Sequence, residues 1–489
     1  MFQEYIFHTA QADYEKKLLL IDKDNLAESA KVASFFQQHG FEVILYKSDL
    51  DFRIHHEYKL QDREARIAVF AKPNDYIPYD IRKRMKLSEL SYARLYPRLD
   101  AETIRKEANK LDQELILRAY QKTYESFSDQ KATEDFILHN AYGKENVKLY
   151  TCELTEALEK QADSANTYRD WFEIANRKAN IDVISTEYEL GIDTSNVNNL
   201  FCNWALTEYG KLGSILDKSS PVLISRAMEY MRDHSDKFAL IVMDGMSEFD
   251  WTVLSRSFTD LHYHKSSILA MIPSVTSVSR QCLLSGKLPF QLEDPWHQAK
   301  EKTEFERCAQ NNLGFKPNQI EYLRGFEKEP ELFTKCCVII IMDIDETVHG
   351  QKQGREGMFN DVSSMARKKV LAQYTKMLLN RGFDVYISAD HGNTLCRGIG
   401  KMVGAGVETE TKSHRMTVLK DFADKEQKII KHHMLEYPKY YLPQEYDYLI
   451  CSVGESLDPK DSEVMNHGGI SLDECIVPFI SLYAEENDG

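Results

Sequence analysis

The chain has no apolar run long enough to cross a bilayer; its longest uninterrupted one is Cys336 to Met342. Its first residues, MFQEYIFHTAQADYEKK, lack the basic-then-apolar order of a secretory signal. The nine cysteines form no CxxC pair, which suits a reducing compartment better than a disulfide framework. These absences predict a soluble cytoplasmic protein. There is no internal repeat, no low-complexity tract and no excess of basic residues. Lys and Arg number 61 against 77 Asp and Glu, a formal net charge of −16. Tight duplex binding is disfavoured by that field, and any nucleic-acid contact needs a local basic patch. What is present is ample: 489 residues, 43% of them hydrophobic, exclude a disordered chain and suggest two to four domains at roughly 150 residues each.

Proline and glycine divide the chain. From Arg98 to Ser220 there is no proline and only four glycines, whereas ten of the 13 prolines and 17 of the 22 glycines follow Ser220. Nothing in the first stretch interrupts a helical ladder, while the second needs many turns. The expected organisation is therefore a small α/β domain over 1–79, a helical domain over 80–219 and a larger α/β domain over 220–489. Two segments of the last, about 287–334 and 395–446, are expected as insertions. The helical domain reads as packing against its neighbours, or as a platform for a partner protein.

In the first 79 residues KLLLI, FEVILY and RIAVFA supply three strands. Asn25 is placed to cap a helix whose apolar face holds Leu26, Ala30, Ala33 and Phe36 and which ends at Gly40. This opening resembles a response-regulator receiver domain, with Asp22 and Asp24 where acidic ligands would sit. The third strand, however, ends in Ala71, Lys72 and Pro73 with no phosphoacceptor aspartate. A structural, receiver-like unit with Asp22 and Asp24 as loop and cap residues is expected.

Beyond residue 220 the chemistry becomes legible. FALIVM, Phe238 to Met243, reads as a strand buried on both faces of a parallel sheet and runs into Asp244-Gly245. Ligands of open α/β sheets bind at the carboxyl ends of such strands. Pro273 then precedes a helix from Thr276 to Leu284, so the Thr276 hydroxyl stands at a helix N-terminus, either a phosphate site or a simple cap. CCVIIIM leads to Asp343, Asp345 and His349; the last two are four apart and can share one metal. DVYIS leads to Asp390-His391, and His467 precedes the apolar run Cys475 to Ile480. Asp244, Thr276, Asp345, His349, Asp390, His391 and His467 are all oxygen or imidazole donors at ends of candidate strands. Such a set suits two divalent ions, zinc foremost and manganese as the second choice.

Four segments carry a family resemblance: VMDGMSEFDW, PSVTSVSRQCLLSG, YISADHGNT and NHGGISLDECIVPFI. Over about Pro221 to Ala484 the chain resembles the alkaline phosphatase superfamily and, within it, the PglZ domain family. The resemblance implies an alkaline-phosphatase-like sheet flanked by helices. It implies Thr276, three residues after Pro273, as nucleophile. It also implies Asp244, Asp390 and His391 at the metal beside that nucleophile, and Asp345, His349 and His467 at the second. The segment MDIDETVHG departs from the PglZ pattern and looks more like the superfamily's nucleotide pyrophosphatase and phosphodiesterase branch, so Asp343 rivals Asp345. Bacterial anti-phage systems of the BREX and phage-growth-limitation type are the contexts the family implies.

The activity so implied is metal-dependent hydrolysis of phosphoric mono- or diesters, including nucleotides or single-stranded nucleic acid, alongside other defence proteins. Arg280, Lys401 and Arg415 are the candidate substrate-binding residues, with Arg397, Lys412 and His414 clustered near the last two. Each has a plain alternative as a solvated or acid-paired side chain. A sulfatase is excluded because no Cys/Ser-x-Pro-x-Arg sequence is present. A mutase-like serine nucleophile has candidates in Ser274, Ser277 and Ser279, but the proline spacing favours Thr276. The alternative from another class is a non-catalytic scaffold that assembles a defence complex through its helical domain.

Overall fold

The computed structural model describes residues 1–28, 30–400, 407–409, 414–419 and 434–484. The chain divides into two compact units, Met1–Tyr150 and Thr151–Gly489, and the division falls inside the helix-rich 80–219 stretch.

The first unit is built on four parallel strands, β1 (Lys17–Asp22), β2 (Glu42–Leu45), β3 (Ile67–Ala71) and β4 (Lys86–Leu90), in the order β2-β3-β1-β4. β3 is buried along its whole length, as a central strand of unbroken apolar sequence must be. β4 lies in the stretch read as helical. Its sequence KLSEL is half polar because it forms the outer edge of the sheet, where one side meets solvent. The expected cap also differs. Asn25 takes a positive φ of 54°, and the Asp22 carboxylate accepts from the Leu26 and Ala27 amides instead. Asp24 accepts from the Tyr92 amide and pairs with Arg105. Both aspartates are thus occupied in holding loops.

In the second unit helices come first. α1 (Tyr168–Glu187) starts from a capping box of Thr167 and Asp170 and runs 20 residues without a breaker. The main sheet follows: β5 (Phe238–Met243), β6 (His264–Leu269), β7 (Ile320–Arg324), β8 (Cys336–Ile341), β9 (Asp384–Ser388) and, after the strands of two smaller sheets, β10 (Thr394–Gly398) and β11 (Glu463–Asn466) among them, β12 (Ile476–Leu482). Their order is β6-β12-β9-β5-β8-β7. β5 pairs in parallel with β8 and β9, while β12 runs antiparallel to β6 and β9. β7, inside the expected 287–334 insertion, is the outermost strand of this sheet. Every residue of β5 and β8 is buried. At about 1.5–3 kcal/mol for each large apolar side chain taken from water, these strands fix the ends that follow them. One of the smaller sheets pairs β10 with β11, antiparallel, in a register that sets Thr394 opposite Asn466. Among the described residues no helix is long and apolar enough to cross a membrane, and all nine cysteines are free thiols.

Candidate metal centre

The topology brings the seven expected donors to one end of the main sheet. Asp244 follows β5. Asp345 and His349 lie on the helix α4 (Asp343–Gly350) that opens after β8, with α2 (Glu248–Leu254) and α3 (Thr276–Ser285) preceding it in the chain. Asp390 and His391 follow β9. β12 is antiparallel, so its amino end reaches the same rim, and the β10–β11 register carries His467 toward His391. Gly245 makes the turn after β5 possible, because its φ of +74° is a conformation that residues with a Cβ rarely adopt.

Two three-donor clusters result, Asp244–Asp390–His391 and Asp345–His349–His467, each with its ligand atoms within 4.8 Å of one another. His391 Nε2 lies 3.6 Å from Asp244 Oδ1 and 3.8 Å from Asp390 Oδ2. In the other cluster His349 Nε2 and His467 Nε2 lie 3.4 and 3.5 Å from Asp345 Oδ1. The His391 and His467 rings stack with centroids 4.0 Å apart and an 11° interplanar angle, so the clusters share a wall. Thr276 is the first residue of α3 and does not cap it; Val275 occupies the N-cap position without a side-chain bond. The Thr276 hydroxyl pairs instead with His391 Nε2 at 2.9 Å. Asp343, the rival ligand, is exposed at the start of α4, and Asp345 takes the place in the cluster.

The electrostatics fit a cation at each cluster. Asp244 Oδ1, Asp345 Oδ1 and Asp390 Oδ2 are buried with no hydrogen-bond partner. Arg280 offsets part of this buried charge, pairing with Asp244 and lying 3.7 Å from Asp390 Oδ2, but three inward oxygens without donors still converge where a further cation fits. Burial, and then the charge of Asp390, push the Asp244 carboxyl well above its ordinary range. Burial pushes Asp345 the same way, but His349 beside it and the neighbouring imidazoles hold it below the usual carboxylate value. Burial, and then His391, keep His467 neutral by driving its basicity well down. For Asp345 and His467 these are the ionised and neutral forms that bind divalent ions, whereas a cation beside Asp244 would have to displace its proton. The imidazoles are also turned correctly: His391 Nδ1 contacts the Gly392 carbonyl and His467 Nδ1 the Ser274 carbonyl, both at 3.0 Å, which leaves each Nε2 facing inward. This nitrogen and oxygen set fits zinc or manganese.

The substrate-binding expectations fare differently. Arg280 has no exposed surface; its guanidinium pairs with Asp244 through Nη1 and with Glu301 through Nε at 2.8 Å. Arg415 is equally buried and holds Glu474 at 2.8 Å. Both guanidiniums are thus buried beside acids, and Arg280 Nη2 is buried without a hydrogen-bond partner. Arg397 pairs with Asp461 and His414 with Asp458 at the surface, while Lys401 and Lys412 lie outside the described residues. Several supporting residues escaped the sequence reading. Asn393 donates to the Gly245 carbonyl and to the buried Asp250, and Ser279 ties α3 to the Asp390 carbonyl at 2.6 Å. The one signal for them is polar residues persisting inside the motif segments. Solvent reaches the centre beside His349, whose side chain is 44% exposed.

The model of the family described as the BREX system PglZ alkaline phosphatase-like domain matches residues 225–482. Solved structures similar to the chain include murine ectonucleotide pyrophosphatase/phosphodiesterase 5, at 11% identity over 50% of this chain and 88% of that one, with a TM-score of 0.37. Its human counterpart shows 12% identity over 50% and 87%, with a TM-score of 0.36. Phosphonoacetate hydrolase from Sinorhizobium meliloti 1021 shows 12% identity over 52% and 92%, with a TM-score of 0.32. No curated protein matches the chain.

Proposed function

Since the chain belongs to the PglZ family, with its alkaline phosphatase-like domain over residues 225–482, we propose that it hydrolyses phosphoric esters with Thr276 as nucleophile at a centre for two divalent ions. One observation carries the reading. The Thr276 hydroxyl stands 2.9 Å from His391 Nε2, beside two three-donor clusters that leave three buried carboxylate oxygens without partners. When bound, the ions supply Lewis-acid polarisation and a lowered pKa for the attacking oxygens.

The residues of the chain supply the rest. Thr276 Oγ attacks phosphorus in line, forming an O–P bond as the ester O–P bond breaks and the leaving oxygen takes up a proton. Water then attacks the phosphothreonine, releasing phosphate or a monoester and restoring the hydroxyl. The amino end of α3 adds partial positive charge where the phosphoryl oxygens gather. Arg280 fixes Asp244 through one carboxylate oxygen, leaving the other turned to His391. The rings of His391 and His467 close the centre between them.

Nucleotides or single-stranded nucleic acid remain within the substrate class, mono- or diester, and the −16 net charge weighs against tight duplex binding. We place the protein in the cytoplasm, in a bacterial anti-phage system of the BREX type, with other defence proteins as partners; the BREX system in the family's description supports the second of these. The test is Thr276→Ala assayed on p-nitrophenyl phosphate and bis(p-nitrophenyl) phosphate. Turnover is expected to fall at least about 1,000-fold with metal content unchanged. Undiminished turnover would remove Thr276 from its role, and a metal-loaded wild type inert to every ester would favour a scaffold.

A further inference from the structure

Glu474 has no exposed surface, yet it is an ionisable group with both carboxylate oxygens saturated. Oε1 accepts from the Ser471 amide and from Arg415 Nη2, each at 2.8 Å. Oε2 accepts from the Gly469 amide at 2.8 Å and from Arg415 Nε at 3.2 Å, and shares the single Ser274 hydroxyl proton, at 3.2 Å, with the Gly469 carbonyl at 3.3 Å. Arg415 is also enclosed, its Nη1 reaching the Glu455 carbonyl and Cys396 Sγ. Replacing such a buried pair by apolar residues is often neutral or stabilising, so its presence calls for a task beyond cohesion.

Its neighbours define the task. Ser274 lies two residues before Thr276, and its hydroxyl accepts from the Gly468 amide at 2.9 Å. Its carbonyl receives His467 Nδ1 at 3.0 Å. Ser274 is therefore the joint between the segment leading to the nucleophile and the segment carrying His467, and Glu474 clamps the joint from behind. Without a Cβ at residue 469 the clamp can close; one there would stand 2.6 Å from Arg415 Nη2 and 2.8 Å from Glu474 Oε1. We infer that Ser274, backed by the Glu474–Arg415 pair, is a positioning residue that fixes the ring of His467 and thereby the affinity of the Asp345–His349–His467 cluster for its ion. The inference rests on the two-ion reading above and adds which residues set the strength of the second site.

Glu474→Gln strands the Arg415 charge and puts folding at risk, so the decisive variant is Ser274→Ala, which removes only the hydroxyl. Metal-stripped full-length wild type, Ser274→Ala and His467→Ala are titrated with Zn2+ by calorimetry, with melting temperatures measured alongside. Outer partners of metal-ligating histidines are typically worth about 10–100-fold in affinity. Ser274→Ala is expected to weaken by about that factor the same binding step that His467→Ala abolishes, and to leave the other step in place. A purely structural role for Ser274 would lower the melting temperature and leave the two affinities as in wild type, or weaken both equally; either result overturns the inference. A wild type that binds no zinc fails differently, removing the two-ion reading and this inference with it.

Discussion

At the residue scale, the choice between Asp343 and Asp345 shows what spacing alone leaves open. Both follow the same buried strand, two residues apart, and either could meet His349. The helix favours one of them: α4 turns Asp345 inward, 3.4 Å from His349 and 3.5 Å from His467, and leaves Asp343 in solvent. Asp345→Asn is therefore expected to cost one of two bound ions by elemental analysis, whereas Asp343→Asn retains both. Equal metal content in the two variants would count against the second cluster. Asp244, Asp390 and His391 stood out as candidates because acids and histidines soon after unbroken apolar runs have little reason to be there for packing. Ser274 and Glu474 did not, because a serine beside proline and a glutamate in a short helical turn look like ordinary caps. Glu474's main partner, Arg415, is 59 residues away.

At the element scale, the ends of β9 and β12 are held by a buried charge network as well as by the sheet. Asp473, at the start of the last strand's approach, accepts from Lys178 on α1 at 2.8 Å and from Asn198 at 3.0 Å, with Arg355 close by. Its own carbonyl oxygen lies where a Cβ on Gly392 would fall, at 2.2 Å, so the His391 loop fits against it only through glycine. Burial alone would raise the Asp473 carboxyl; the charges of Lys178 and Arg355 overcome this and lower it to about 2. A depressed folded-state pKa contributes stability that is present above the unfolded value near 4 and is lost as pH falls through 2. Asp473→Asn is expected to lower the melting temperature at neutral pH and to flatten its decline between about pH 4 and 2. A variant with the wild-type acid profile would show that this network carries no linkage. The central strands were legible from apolar continuity, which is a local property. β4 was not: a five-residue edge strand of half-polar sequence is decided by the pairing it makes with β1.

At the scale of the whole molecule, the shift in proline and glycine at residue 220 separates a helix-permitting stretch from a turn-rich one. The compact units divide elsewhere, at Tyr150, because packing joins helices such as α1 to the sheet that follows them in sequence. Composition reports what each segment can form, and long-range burial determines which unit it joins. The second unit gathers donors spread from Asp244 to His467 onto one rim, where a pair of divalent ions is proposed to bind. The most direct measurement is an anomalous difference map from crystals of the full chain grown with Zn2+. The account predicts two peaks about 4 Å apart, one bounded by Asp244, Asp390 and His391 and the other by Asp345, His349 and His467, with the Thr276 hydroxyl beside the first. An empty rim, or ions bound only elsewhere, would contradict it.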